Sequence, residues 1–286
     1  MIRLGGHGLP VGHEDFEAFA RAHSVHGYGA AYVPVSLRLE DASAFERAFA
    51  AEDVVLAEVG IWRNLIAPVE AKRKANREYA VNCLALADAV GAKCAVSYIG
   101  SYSDTDYGPA EANLGTDAFD ACVEAVRYLL DTVKPKRAKF ALEMMQYSLP
   151  DSVDGYVDLI RAVDRPMFGA HFDPVNLVMT PRVYWNNAAL IRECFAKLGE
   201  HVVSCHAKDI ILHHQAALHL DEIIIGAGVM DYRTYLTELA KLPREVPLML
   251  EHLKGDEYAL ARDAVFAVGD AAGVTFAKRT KTSGNG

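Results

Sequence analysis

Short apolar, β-branched runs alternate with longer amphipathic stretches from one end of the chain to the other. The apolar runs fall at roughly 2–6, 29–35, 54–61, 93–99, 138–145, 167–173, 202–208 and 247–252 and predict strands. Helical periodicity recurs near 13–26, 41–51, 70–90, 115–135, 152–164, 185–199, 231–241 and 257–272. Strict alternation of eight strands with eight helices predicts parallel pairing, because parallel neighbours need helical crossovers. In 286 residues that pattern favours a closed (β/α)8 TIM barrel over an open doubly wound sheet. The first strand is followed by GGHG, a near miss to the GxGxxG fingerprint of dinucleotide-binding sheets.

Local signals agree with this division. Asp41, Thr116 and Asp231 stand where a side-chain oxygen can accept the free amides of a first helical turn. Gly27, Gly91 and Gly273 follow helical runs, where a left-handed cap is wanted. No linker or repeat divides the chain, so one barrel domain is expected over 1–277, with the polar KRTKTSGNG end forming a frayed tail at 278–286. The longest loops expected at the strand C-termini are 100–114, 174–184 and 209–230, and in a barrel these build the mouth.

Composition narrows the class. Hydrophobic residues make up 51% and charged residues 23%, enough apolar material for one large core. No apolar segment follows a basic start and no run of eighteen apolar residues occurs, so export and membrane insertion are not indicated and a cytoplasmic protein is expected. Cys83, Cys94, Cys122, Cys194 and Cys205 form no CxxC pair and read as reduced core thiols. A net charge of −9 argues against a nucleic-acid partner, which needs a basic face.

Four apolar runs in the second half end on metal-binding residues: Glu143 in KFALEMM, Asp173 in FGAHFDPVN, His206 in VVSCHAKDI and Glu251 in PLMLEHL. An unpaired buried carboxylate costs several kcal/mol or more, so acids at buried strand ends need a partner. Their spacings are each about one strand–helix–strand unit, which delivers all four to one rim. Three carboxylates with one imidazole form a hard, oxygen-rich set suited to one Mn, Mg or Co ion, with Zn less preferred. Such a cation acidifies the C–H beside a chelated carbonyl, and Glu143 and Glu251, arriving from different sides, are the expected bases.

Side chains two apart on a strand share a face, so His171 accompanies Asp173, and Ser204 and Lys208 accompany His206. His171 and Lys208 are therefore expected to reach a ligand. His7 sits between glycines at the end of the first strand, and Trp62, Tyr98 and Trp185 could wall a sugar ring. Arg63 and Arg182 are the guanidinium candidates for a phosphate or carboxylate. His213, His214 and His219 lie in the 209–230 loop at a spacing with no evident shared face, which predicts a surface or lid role.

LEMM, HFDPVN, CHAKD and MLEH resemble the metal motifs of the xylose isomerase-like barrel superfamily of sugar isomerases and epimerases, and the likeness spans essentially the whole chain. The resemblance to its ketose 3-epimerase branch implies that Glu143, Asp173, His206 and Glu251 bind one divalent ion, that the two glutamates exchange the substrate proton, and that His171 holds the substrate. It implies a small carbohydrate as partner, a ketose, keto-inositol or related hydroxy-ketone, and is compatible with a homo-oligomer. Relatives with the same quartet dehydrate inososes or dehydroshikimate or eliminate an aglycone from 3-keto glycosides, so a lyase is the alternative outcome. Gly226-Ala227-Gly228 departs from a Gly-Glu-Gly segment common in relatives. The apurinic endonucleases of the superfamily use three metals and a DxxH pattern; here Asn176 stands where that His would be, which favours one metal.

Overall fold

The computed structural model describes residues 1–279. Eight parallel strands close into a barrel: β1 (Arg3–Gly5), β2 (Ala30–Tyr32), β3 (Val55–Gly60), β4 (Cys94–Ser97), β5 (Lys139–Glu143), β6 (Phe168–Phe172), β7 (Val202–Ala207) and β10 (Pro247–Leu250). The crossovers carry α1 (Phe16–Val25), α2 (Ala42–Ala51), α3 (Glu70–Val90), α4 (Thr116–Val133), α5 (Val153–Val163), α7 (Asn187–Leu198) and α8 (Tyr232–Ala240); α9 (Glu257–Ala271) follows β10. The (β/α)8 architecture expected from the alternation is therefore the observed one. Two elements fall outside that pattern: a one-turn α6 (Pro181–Tyr184), and an antiparallel hairpin of β8 (Asp209–Leu212) and β9 (Leu220–Ile223) within what reads as a loop. At the bottom, Ile2 N donates to Thr275 O (2.9 Å) and Ala277 N to Ile2 O (2.9 Å), so the end of the barrel's sequence packs beside its start. Of the expected tail, 280–286 lie outside the described residues.

Each strand divides its side chains between two cores. Leu56, Phe140, Leu142, Phe168, Phe172 and Leu248 face the helices and join one continuous cluster, while Ala30, Ala57 and Met249, and Cys94, Val96 and Ala141, form small clusters inside the barrel. All five cysteines are buried and free, as reduced core thiols would be. Gly91 closes α3 in the left-handed region (φ 70°), and Gly27 and Gly273 take the same conformation (φ 77° and 70°). Asp231 accepts from Thr234 N as expected, but two caps differ. Asp41 lies in a tight turn with its carboxylate drawn 2.8 Å to Arg38 Nε, and Thr116 is already helical, with Gly115 at the cap.

Two irregularities in the barrel decide what faces inward. Ala31 pairs with Leu56 but Tyr32 with Glu58, leaving Ala57 as an extra residue on β3. Ala170 pairs with Val202 but His171 with Ser204, leaving Val203 extra on β7. A bulge lets two consecutive residues face the same side. Ala57 and Glu58 thus both point into the barrel, as do Val203 and Ser204.

Three tyrosines from the helix layer hold the strands around this region. Tyr156 Oη of α5 lies 2.6 Å from Leu142 O and 3.0 Å from Gly169 O, tying β5 to β6. Tyr235 Oη of α8 donates to His206 O at 2.9 Å, and Tyr232 Oη to Lys208 O at 2.8 Å. A buried phenol without such a partner would be costly, so these bonds also fix where the strand ends sit.

Candidate active site and metal centre

Glu143 ends β5, Asp173 follows β6, His206 lies in β7 and Glu251 follows β10, and all four converge at the C-terminal mouth. His206 Nδ1 is 2.8 Å from Glu143 Oε1, 3.0 Å from Glu251 Oε2 and 3.8 Å from Asp173 Oδ2. One donor atom from each residue lies within 4.8 Å of the others. Asp173 and His206 are fully buried, Glu143 nearly so, and Glu251 is partly exposed toward the mouth.

Lys208 enters the same cluster. Its Nζ lies 2.8 Å from Asp173 Oδ2, 3.2 Å from Glu222 Oε1, 3.4 Å from Glu251 Oε2 and 3.2 Å from Asn176 Oδ1. Glu222, from β9, also accepts from His252 Nδ1 at 2.7 Å. Glu222 carries no signal in the sequence, because 209–230 reads as a loop without a register.

The larger omission was Glu58. It is fully buried in the barrel, 3.1 Å from His171 Nε2 and 3.2 Å from His206 Nε2, and Ser204 Oγ donates to it. Alternation from Val55 would turn Glu58 toward the helices; the bulge at Ala57 reverses it. His206 is thereby held at both nitrogens, Nε2 on Glu58 and Nδ1 facing the quartet. That is the carboxylate–imidazole arrangement by which proteins orient a metal-ligating histidine and set its tautomer.

Electrostatics set this pocket apart. Burial opposes ionisation of Glu58, but His206 and His171 beside it, through charge and hydrogen bonding, outweigh burial and hold its carboxyl well below the usual range. Glu251 is likewise held well below that range by His206 and Lys208 against burial, and Glu143 is lowered despite burial and the Glu251 charge. Asp173 moves the other way: burial pushes it up to about 6, with Glu143 and Glu251 adding to the rise against the pull of Lys208. Burial would lower His206, yet Glu251, Glu58 and Glu143 raise it well above its ordinary value.

This donor set fits a hard or borderline divalent cation. Five carboxylates (Glu58, Glu143, Asp173, Glu222 and Glu251) face one ammonium, Lys208, and the imidazoles of His171, His206 and His252, so the carboxylates outnumber their cationic partners. Asp173 Oδ2 and Glu251 Oε2 are buried and accept no hydrogen bond of good geometry. A single ammonium, Lys208 Nζ, approaches both at 2.8 and 3.4 Å, and buried carboxylates in excess of their cationic partners are costly unless a further cation pairs with them.

A cavity of about 630 Å³ opens beside the cluster, with Glu58 and Glu251 among its walls. His7 and Trp62 line it, the first stacked on Tyr32 at 4.4 Å and the second with its ring 6.1 Å from that of His206. Arg63 also lines it, its guanidinium 4.7 Å above the Tyr79 ring. Tyr98 stands behind Trp62, donating to Trp62 O at 3.1 Å. His171 lies deeper, fully buried under His206 with ring centroids 4.1 Å apart. Arg182, on α6, is exposed and does not line this cavity, and Trp185 is 72% exposed. Trp62 (φ 48°) and His252 (φ 56°) hold left-handed backbone at the mouth, which non-glycine residues seldom adopt and which concentrates at functional sites.

Among solved structures, D-psicose 3-epimerase from Clostridium cellulolyticum H10, in complex with D-tagatose, superposes over 95% of this chain and 98% of its own (TM-score 0.68, 15% identity). A xylose isomerase-like TIM barrel protein from Mycobacterium smegmatis, in complex with magnesium, aligns over 95% and 98% (TM-score 0.66, 18% identity). The 3-keto-D-glucoside 4-epimerase of E. coli aligns over 94% and 100% (TM-score 0.68, 12% identity). No curated protein sequence matches the chain. At such identities the superpositions establish the fold alone. No helix among the described residues is long and apolar enough to cross a membrane. The model of one sequence family matches residues 15–267, nearly the whole barrel, and the chain belongs to that family, the xylose isomerase-like TIM barrels.

Proposed function

We propose that this protein is a divalent-metal-dependent sugar isomerase or epimerase that moves a proton at the carbon next to a carbonyl of a ketose, keto-inositol or related hydroxy-ketone. The observation that carries this reading is the pair of carboxylates, Glu143 and Glu251, set 2.8 and 3.0 Å from His206 Nδ1 on strands from different parts of the barrel wall. Glu143, Asp173, His206 and Glu251 would hold the cation, which when bound supplies the positive charge that polarises a carbonyl. Its identity among Mn, Mg, Co and Zn belongs to the same proposal.

The protein's own groups then divide the work. One glutamate takes the proton from the carbon beside the carbonyl and the other returns one from the opposite side, which inverts that centre. Both are held in the anionic form that a base requires. Glu58 orients His206, and Lys208 compensates Asp173 and can donate to a substrate hydroxyl. The ammonium of Lys208, capped by Asn176, fills the space beside Asp173, which supports one cation over the three of the endonucleases. His7 and Trp62 form the face against which the sugar ring packs, with Tyr98 backing Trp62.

A second reading, elimination from a 3-keto glycoside, begins with the same proton removal and ends with loss of the leaving group. It is favoured by the extension of the cavity over Leu9, Val11, Val33 and Val35, an apolar surface suited to an aglycone.

The deciding experiment is proton-exchange NMR in D2O with ketoses, keto-inositols and 3-keto glucosides, with and without Mn, on the wild type, Glu143→Gln and Glu251→Gln, with metal content measured alongside. Metal-dependent deuterium uptake with a new isomer supports the isomerase; an unsaturated product or released aglycone moves the activity to a lyase. Full activity in either glutamine variant would falsify the two-base scheme.

A further inference from the structure

A second cluster of metal-binding side chains lies outside the barrel mouth, on the β8–β9 hairpin. The hairpin pairs Asp209 with Ile223, Ile210 with Glu222, Ile211 with Asp221 and Leu212 with Leu220, and His213 N donates to His219 O at 2.9 Å. Alternation then puts Leu212, Leu220 and Glu222 on one face and His213, His219 and Asp221 on the other. The HHxxxxH spacing, which offers no shared face on a helix or a single strand, acquires one when the chain doubles back.

His213 Nε2 lies 2.9 Å and His219 Nε2 3.2 Å from the same oxygen, Asp221 Oδ2, and the imidazole centroids are 5.2 Å apart. All three donor atoms fall within 4.8 Å of one another. His213 Nε2 is shielded from solvent yet makes no hydrogen bond of good geometry, so it is close to the carboxylate without being aligned on it. Asp173 Oδ2 and Glu251 Oε2 in the barrel quartet are in the same condition.

We infer that His213, His219 and Asp221 form a second, exchangeable site for a borderline divalent cation such as Zn or Cu(II). Two imidazoles and one carboxylate suit those ions and not Mg, and the half-exposed side chains leave coordination positions for water. The site would clamp the two strands just below the five-residue tip. β9 carries Glu222, which bonds both Lys208 and His252, so the clamp would fix one wall of the barrel mouth. This inference does not depend on the reaction proposed above.

The test uses tag-free full-length protein with the barrel site saturated by Mn, titrated with Zn under equilibrium dialysis and, separately, with Cu(II) followed by electron paramagnetic resonance. The wild type should hold one equivalent more Zn than His213→Ala/His219→Ala, with each single variant weakening the binding at least about tenfold. Asp173→Asn, which alters only the barrel quartet, should retain the extra equivalent. Cu(II) should show imidazole nitrogen couplings that the double variant loses, and Zn should slow amide exchange over 209–223 in the wild type alone. Equal Zn content in wild type and double variant, or nitrogen couplings that survive both substitutions, overturns the proposal.

Discussion

Strands β1–β4 point Ala30, Tyr32, Cys94 and Val96 into the barrel, whereas β5, β6, β7 and β10 and the positions just past them supply Glu143, His171, Asp173, Ser204, His206 and Glu251. The N-terminal half thus gives an apolar and aromatic wall and the C-terminal half gives the charge. Fields from charges facing a low-dielectric wall are less screened than fields facing water, so the same carboxylates act more strongly on whatever lies between the halves. Among the described residues Glu58 is the carboxylate that the first half sends into this cluster, and it serves the second half by holding His171 and His206.

The sharpest way to break that division is to remove charge from the second half without changing its shape. Asp173→Asn should reduce turnover by about a thousandfold or more and abolish stoichiometric metal in the barrel site, because it deletes a proposed ligand and leaves Lys208 with less compensation. Paired metal analysis and rate measurement check this. Retained metal with lost activity would move Asp173 out of the ligand set.

Two buried histidines sharpen the same contrast. His206, among carboxylates, is raised, while His23, packed between Phe19 and Phe49 in the first half, is lowered to about 4 by burial, against the pull of Phe19 O and with His7 and His26 adding to the fall. Unfolded, His23 titrates near 6.5, so between pH 6.5 and 4 the unfolded chain binds the extra proton. Stability therefore falls as pH drops through that window, by about 3 kcal/mol in all from this residue. Chemical denaturation of wild type and His23→Gln across pH 4–7 should show a flatter dependence in the variant; identical slopes would remove His23 as the cause.

Glu58→Gln should weaken metal binding by about 10- to 100-fold, the usual size of losing a carboxylate behind a metal-ligating histidine, with a smaller loss of turnover at saturating metal. An unchanged affinity would confine Glu58 to packing. This residue also marks the limit of what the sequence discloses. The barrel was legible because strands buried on both faces are apolar runs, and the quartet because acids ending such runs are conspicuous. Glu58 sits in VVLAEVGIW, another such run, but strict alternation assigns it to the wrong face, and a bulge leaves no mark that one sequence reveals. The hairpin was illegible for a related reason: His213 and His219 meet only through antiparallel register, and nothing between them specifies a turn type.

The smallest effect is expected from the apolar wall. Trp62 touches the site with its ring and holds left-handed backbone to do so, yet it carries no charge and bonds no ligand residue through its side chain. Trp62→Ala should therefore raise KM by about tenfold, roughly 1–2 kcal/mol of lost stacking and area, while kcat at saturation and metal content stay near the wild-type values. Trp62→Phe should recover most of that loss, since the aromatic face is kept. A fall in kcat matching that of the glutamate variants would mean that the wall also sets the position of the quartet, and the separation of apolar wall from charged half would no longer hold.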